Sequence, residues 1–210
     1  MMKKSAFLWV IILMFCTACS IKGSFQGLYS YYSRTKSQDP QLLIFPDTST
    51  SLCEISKSDA PGILVTNGSR LKECIKTNNK AIVYLWAPKC KSKFCYPLHF
   101  LQQKCDTKGI TLYVVAEYYD TQLMQINYKI NKPICGIDVE YYNSGRTSKY
   151  LSKFIYDLTS GSHYLSGRLI YFEDGVFKKS FESIEKIQQA YSAKIAIVHR
   201  AFAPINSVYQ

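Results

Sequence analysis

Two blocks mark the most structured part of the chain, the continuous apolar run Ala81–Trp86 and the largely apolar Ile110–Ala116. Strands buried on both faces read this way, without the alternation of a half-exposed strand. Between the blocks, Phe94, Leu98, Leu101 and Cys105 recur at helical spacing, and Gly109 closes the stretch. The spacing predicts a helix that begins near Cys90, with Pro97 in its first turn or at a kink. Strand, helix and strand in close succession make a βαβ unit with parallel strands.

Shorter elements flank this unit. Gln41–Phe45 and Gly62–Val65 are apolar runs bounded by turn residues and read as strands. Arg70–Thr77, entered from Asn67-Gly68-Ser69, reads as a short helix with Leu71 and Ile75 four apart. Thr121–Ile130 and Thr147–Leu158 read as helices, the second with Leu151, Phe154, Ile155 and Leu158 on one face. Between them Lys132-Pro133-Ile134-Cys135-Gly136 breaks the pattern. Arg168–Phe172 and Val176–Phe181, joined by Glu173-Asp174-Gly175, form an antiparallel hairpin with Gly in its turn. Ile184–Ile195 closes the domain as an amphipathic helix. The predicted class is α/β, a central mixed sheet with a βαβ unit, a C-terminal β-hairpin and flanking helices.

Composition narrows the function classes. The chain has 210 residues, 47% hydrophobic, with 26 Lys and Arg against 15 Asp and Glu. This is enough for one domain with a real core and too apolar for a disordered chain. The net charge of +11 is spread over single lysines, which reads as a solvated basic surface and not as a nucleic-acid interface. One long apolar run exists, so a polytopic membrane protein is excluded.

That run lies at the start. Lys3 and Lys4, apolar residues from Ala6 to Phe15, and Cys16-Thr17-Ala18-Cys19-Ser20 have the layout of a secretory signal. The ending resembles the bacterial lipobox, with Cys16 where that signal usually has Leu. The resemblance implies lipid on Cys19. Ser20 beside it resembles the outer-membrane sorting pattern of Gram-negative bacteria, which implies an anchored protein facing the periplasm. An ordinary cleaved signal is the alternative. The expected organisation is a signal over 1–19, a flexible tether over 20–40, a domain over 41–195 and an unassigned tail over 196–210.

Outside the cytoplasm cysteines read as disulfide partners. Six remain beyond the signal: Cys53, Cys74, Cys90, Cys95, Cys105 and Cys135. Six allow 15 pairings, and the sequence leaves them open, with Cys105 on the apolar face of its helix.

The order of elements resembles the thioredoxin fold. The local residues agree, since Trp86-Ala87-Pro88-Lys89-Cys90 matches the family's Trp-Ala-x-x-Cys at the end of a buried strand. The hairpin with Gly175 in its turn resembles the family's terminal hairpin. Two departures stand out. Cys90 and Cys95 are separated by four residues where the family has two, and Ser166-Gly167-Arg168 occupies the place of its cis-proline. The resemblance implies thiol–disulfide exchange with envelope proteins that carry thiols or disulfides. Cys90 would attack and Cys95 resolve, the helix dipole and Lys89, Lys91 and Lys93 favouring the Cys90 thiolate. A fixed structural disulfide and a non-catalytic binding module are the alternatives. So is copper handling. The copper-delivery proteins of the Sco type share the fold and are similar in using two cysteines and a loop His, here Cys90, Cys95 and His163. No other cofactor is implied.

Overall fold

The computed structural model describes residues 27–47, 51–56, 62–162 and 165–187. Its frame is a seven-stranded mixed sheet. In chain order the strands are β1 (Leu43–Ile44), β2 (Ile63–Thr66), β3 (Lys80–Trp86), β4 (Thr111–Ala116), β5 (Cys135–Ile137), β6 (Leu169–Glu173) and β7 (Val176–Phe181). Across the sheet they lie β1-β2-β5-β4-β3-β6-β7. The first five run parallel to one another, and β6 and β7 are antiparallel to their neighbours.

The helices are α1 (Tyr32–Gln38), α2 (Gly68–Lys76), α3 (Leu98–Asp106), α4 (Thr121–Met124) and α5 (Thr147–Thr159), with a 3-10 turn over Pro40–Leu42. Residues 184–187 enter a further helix, and the rest of the expected closing helix and the tail lie outside the described residues. No helix among the described residues is long and apolar enough to cross a membrane.

The two apolar blocks are β3 and β4, paired in register from Ala81 with Thr111 to Trp86 with Ala116. Ile82, Val83, Tyr84 and Val115 have no exposed surface, as a doubly covered parallel strand requires. The hairpin also forms as its sequence reads. α2 starts where Asn67 caps it, its side chain accepting from the amide of Arg70 at 2.9 Å. α2 then meets α5 through Gly68. A Cβ there would lie 2.3 Å from the carbonyl oxygen of Phe154 and 2.9 Å from the amide nitrogen of Leu158.

Four expectations need correction. The tether over 20–40 is, from Gly27 onward, part of the fold. Tyr32 is 1% exposed, Ser30 donates its amide to Gly145 and accepts the amide of Tyr119, and α1 packs as a helix. Polar composition hid this, because the tyrosines bury rings while bonding through their hydroxyls. Next, the break at 132–136 contains β5, which sits between β2 and β4. Three residues around a glycine leave no period to read. At Gly136 a side chain would collide with the Tyr119 hydroxyl at 2.6 Å. The helix expected over 121–130 stops at Met124, since Gln125, Ile126 and Asn127 are exposed and no packing extends it. The helix expected from Cys90 begins instead at Leu98, after Pro97. Proline cannot donate to a helix interior and disfavours helical geometry in the residue before it.

The α2–α5 contact gives a stability test. Gly68→Ala should destabilise the fold by about 2–3 kcal/mol, since backbone on the facing helix must move. For a chain of this size that lowers Tm by roughly 5–10 °C. Gly145→Ala, with no atom within 4 Å of the new Cβ, should shift it by less than about 1 °C. Thermal unfolding followed by circular dichroism compares the two.

Candidate functional site

Beyond Trp86, β3 leaves the sheet at its C-terminal edge and enters a loop over 87–97. Parallel sheets expose their strand ends in this way, and ligand sites gather there. Tyrosines hold the loop at both feet. The amide of Lys89 donates to the Tyr118 hydroxyl at 3.1 Å, and the amide of Tyr96 to the Tyr84 hydroxyl at 3.0 Å. Burial pushes both phenols up, so each stays neutral and able to accept.

Cys90 and Cys95 are joined as a disulfide across this loop, their Cα atoms 6.0 Å apart. Two tight turns bring them together, closed by Cys90 N–H to Ala87 at 3.0 Å and Cys95 N–H to Ser92 at 3.0 Å. The Ser92 hydroxyl lies 3.5 Å from one sulfur and 3.4 Å from the other. Both cysteines are half-buried, and the four residues between them are exposed. Phe94 is 40% exposed, with the Lys93 ammonium 5.2 Å from its ring centroid.

The electrostatics differ from the expectation. Cys90 does not stand at a helix N-terminus, so no helix dipole acts on it. Lys89 is bound to Asp120 at 2.8 Å, and that hydrogen bond holds the ammonium above its ordinary range. Its charge is therefore compensated. Lys91 and Lys93 remain, with no carboxylate in ion-pair distance among the described residues.

Under the loop lies a second charged pair that sequence reading missed. Arg168 bonds Glu117 at 2.9 Å and donates to the carbonyl of Leu85 at 3.2 Å. Burial pushes the Glu117 carboxyl up, and the guanidinium pulls it partly back. Arg168 belongs to the Ser166-Gly167-Arg168 stretch. Ser166 bonds Ser180 on β7, and a Cβ on Gly167 would lie 2.1 Å from the carbonyl oxygen of Phe181. This close approach sets Arg168 against the end of β3. Strand-end position was the signal available for Glu117, Tyr118 and Asp120, which follow β4 directly.

Beside the loop opens a cleft of about 580 Å³, bounded by Tyr31, Arg34 and Gln38 of the N-terminal segment and by Lys89, Tyr118 and Asp120.

The other cysteines behave differently. Cys53 and Cys74 form a second disulfide, Cα atoms 4.9 Å apart, which fastens residues 51–56 to α2. Cys105 and Cys135 are free and buried, and burial pushes both thiols up to about 12. His163 lies outside the described residues, and Cys19 with it. Among the described residues no group of three His, Cys, Asp or Glu side chains could hold a metal ion. No protein-family model, curated protein or solved structure matches the chain.

The Glu117–Arg168 pair makes a pH test. A carboxyl raised in the folded state binds more protons folded than unfolded, so stability falls as pH rises from the unfolded value through the raised one. Arg168→Gln removes the charge that limits the rise. It should cost about 2 kcal/mol at pH 7, less than the roughly 3–5 of a fully buried pair because Arg168 is partly exposed. The loss should shrink as the pH is lowered toward 5, and Glu117→Gln in the same chain should restore most of it. Urea unfolding at both pH values measures this. A loss independent of pH would show that the pair is not the cause.

Proposed function

We propose that the protein is a lipid-anchored envelope protein whose thioredoxin-like domain exchanges the Cys90–Cys95 disulfide with protein partners. The carrying observation is that this disulfide stands half-exposed in a loop at the C-terminal edge of the central strand, while every other described cysteine is buried or ties a segment to the core. A βαβ unit and a terminal hairpin antiparallel to β3 support the thioredoxin-like reading; β5 is an addition between β2 and β4. The cleft lined by Lys89, the residue before Cys90, leaves room for a polypeptide segment beside the loop.

In the reducing direction the Cys90 thiolate attacks one sulfur of a partner disulfide and displaces the other as a thiolate. The Cys95 thiolate then attacks the Cys90 sulfur and displaces the second partner sulfur. The partner gains two electrons and the Cys90–Cys95 bond forms, and the reverse sequence oxidises a dithiol. With no helix dipole at Cys90, its role as the attacking residue rests on the Trp86-Ala87-Pro88-Lys89-Cys90 resemblance. Lys91 supplies the adjacent positive charge.

Chain entropy ranks the two bridges. Closing the Cys90–Cys95 loop contributes about 2 kcal/mol and the Cys53–Cys74 loop about 3.5 kcal/mol to folding. Under graded reduction, mass spectrometric thiol mapping should therefore find Cys90–Cys95 open first. Cys95→Ala should then trap reducible mixed disulfides with envelope proteins, and Cys90→Ala none. A bridge that outlasts Cys53–Cys74, with no trapping by either variant, would mean a structural disulfide.

Anchoring has its own test. Cys19→Ser should abolish labelling with a clickable fatty acid and release the protein from the membrane fraction. Labelling that persists would end the lipobox assignment.

A further inference from the structure

The N-terminal segment enters the fold at the same edge as the cysteine loop. Tyr119 N–H donates to Ser30 at 2.8 Å and Thr147 N–H to Leu28 at 3.1 Å, so residues 28–30 lie across the end of β4 and the start of α5. A Cβ on Gly27 would sit 3.5 Å from the ring of Tyr118, whose hydroxyl accepts the Lys89 amide. One tyrosine ring therefore separates Gly27 from the residue before Cys90. Cys19 precedes Gly27 by eight residues, which span at most about 28 Å.

The surface at that edge suits an anionic bilayer. Lys91, Lys93 and Phe94 project from the loop, and Leu28 and Tyr29 are 48% and 47% exposed beside the chain entry. Glu182 lies near enough to feel Lys93 but is paired with Lys186 at 2.6 Å. Ammonium groups flanking an exposed ring match a phosphate headgroup layer over apolar tails.

We propose that the edge bearing the Cys90–Cys95 loop faces the membrane, with Lys91, Lys93 and Phe94 entering the headgroup layer of an anionic lipid surface. The proposal rests on the anchoring reading of Cys19 and is independent of the exchange chemistry. The disulfide is then presented to partners at the bilayer surface.

Tryptophan quenching tests it on the full chain purified from membranes and reconstituted in phosphatidylcholine vesicles with or without brominated phosphatidylglycerol. Phe94→Trp places the probe in the loop. Val176→Trp, at the 56% exposed first residue of β7, places a control at the opposite end of β3, since Val176 pairs with Glu173 and Glu173 with Lys80. Seven residues of β3 put it about 23 Å away. Native Trp86 is buried, and the unsubstituted chain gives the background. The Phe94→Trp chain should be quenched at least about twofold more than the Val176→Trp chain, and adding Lys91→Gln with Lys93→Gln should remove the excess. Equal quenching of the two chains, or an excess that survives loss of both lysines, overturns the proposal. Intact mass of the Cys19 peptide from the same preparation separates the two readings. With lipid present and no excess quenching, the orientation fails alone. With lipid absent the anchor fails, and the quenching still decides the surface.

Discussion

The candidate site depends on how the central strand ends. β3 is held on both sides to its last residues, with Leu85 N–H on Arg168 and the Trp86 carbonyl accepting from Glu117. Past Trp86 no ladder continues, and each backbone amide of the loop needs another partner or water. Tyr118 and Tyr84 supply partners at the two feet. The loop is thus fixed where it joins the core and exposed between, with the Cys90–Cys95 bridge spanning the exposed part.

The same device recurs across the fold. The Tyr142 hydroxyl accepts the amide of Gly68 at the start of α2 and donates to Asp157 on α5. Tyr119 donates to Ile137 at the end of β5, and Tyr150 to Glu117. Each phenol buries a ring and meets a strand or helix end with its hydroxyl. Burial raises Tyr119 well above its ordinary range, so its hydroxyl stays neutral and donating near neutral pH. Tyr84, Tyr118, Tyr119, Tyr142 and Tyr150 thus act as end-pieces for backbone.

This explains what was legible in the sequence. β3, β4, α5 and the hairpin have long periods, or an apolar run with a turn residue, and their existence follows from local pattern. β5 and α1 carry no such pattern. Cys135–Ile137 is a strand because its neighbours leave a gap that Gly136 fits, and Tyr32 is buried because Tyr119 stacks edge-on against it at 5.2 Å. Such contacts are decided by tertiary neighbours that no window of sequence contains. At the site, the Cys90–Cys95 pair was visible as spacing. The helix start was misjudged because Phe94 continued the apolar stripe while Pro97 had already ended it. Glu117 and Arg168 carry no motif, and they meet because β4 and β6 flank the same strand.

Burial also keeps the cysteines from interfering with one another. A thiol near 12 is ionised to on the order of one part in 10⁵ at pH 7, and only the thiolate attacks a disulfide. Cys135 lines the same small cavity as Cys74, close to a bridge it could otherwise scramble. Burial there keeps the Cys135 thiol protonated, and the packing of β5 between β2 and β4 fixes it in the sheet. Cys105 is equally suppressed inside α3. Two thiols are silenced in the core and one bridge ties a segment to a helix, while the bridge in the loop at the end of β3 stands half-buried beside Lys91 and Lys93. The core behind that edge keeps the two free thiols apart from the loop bridge.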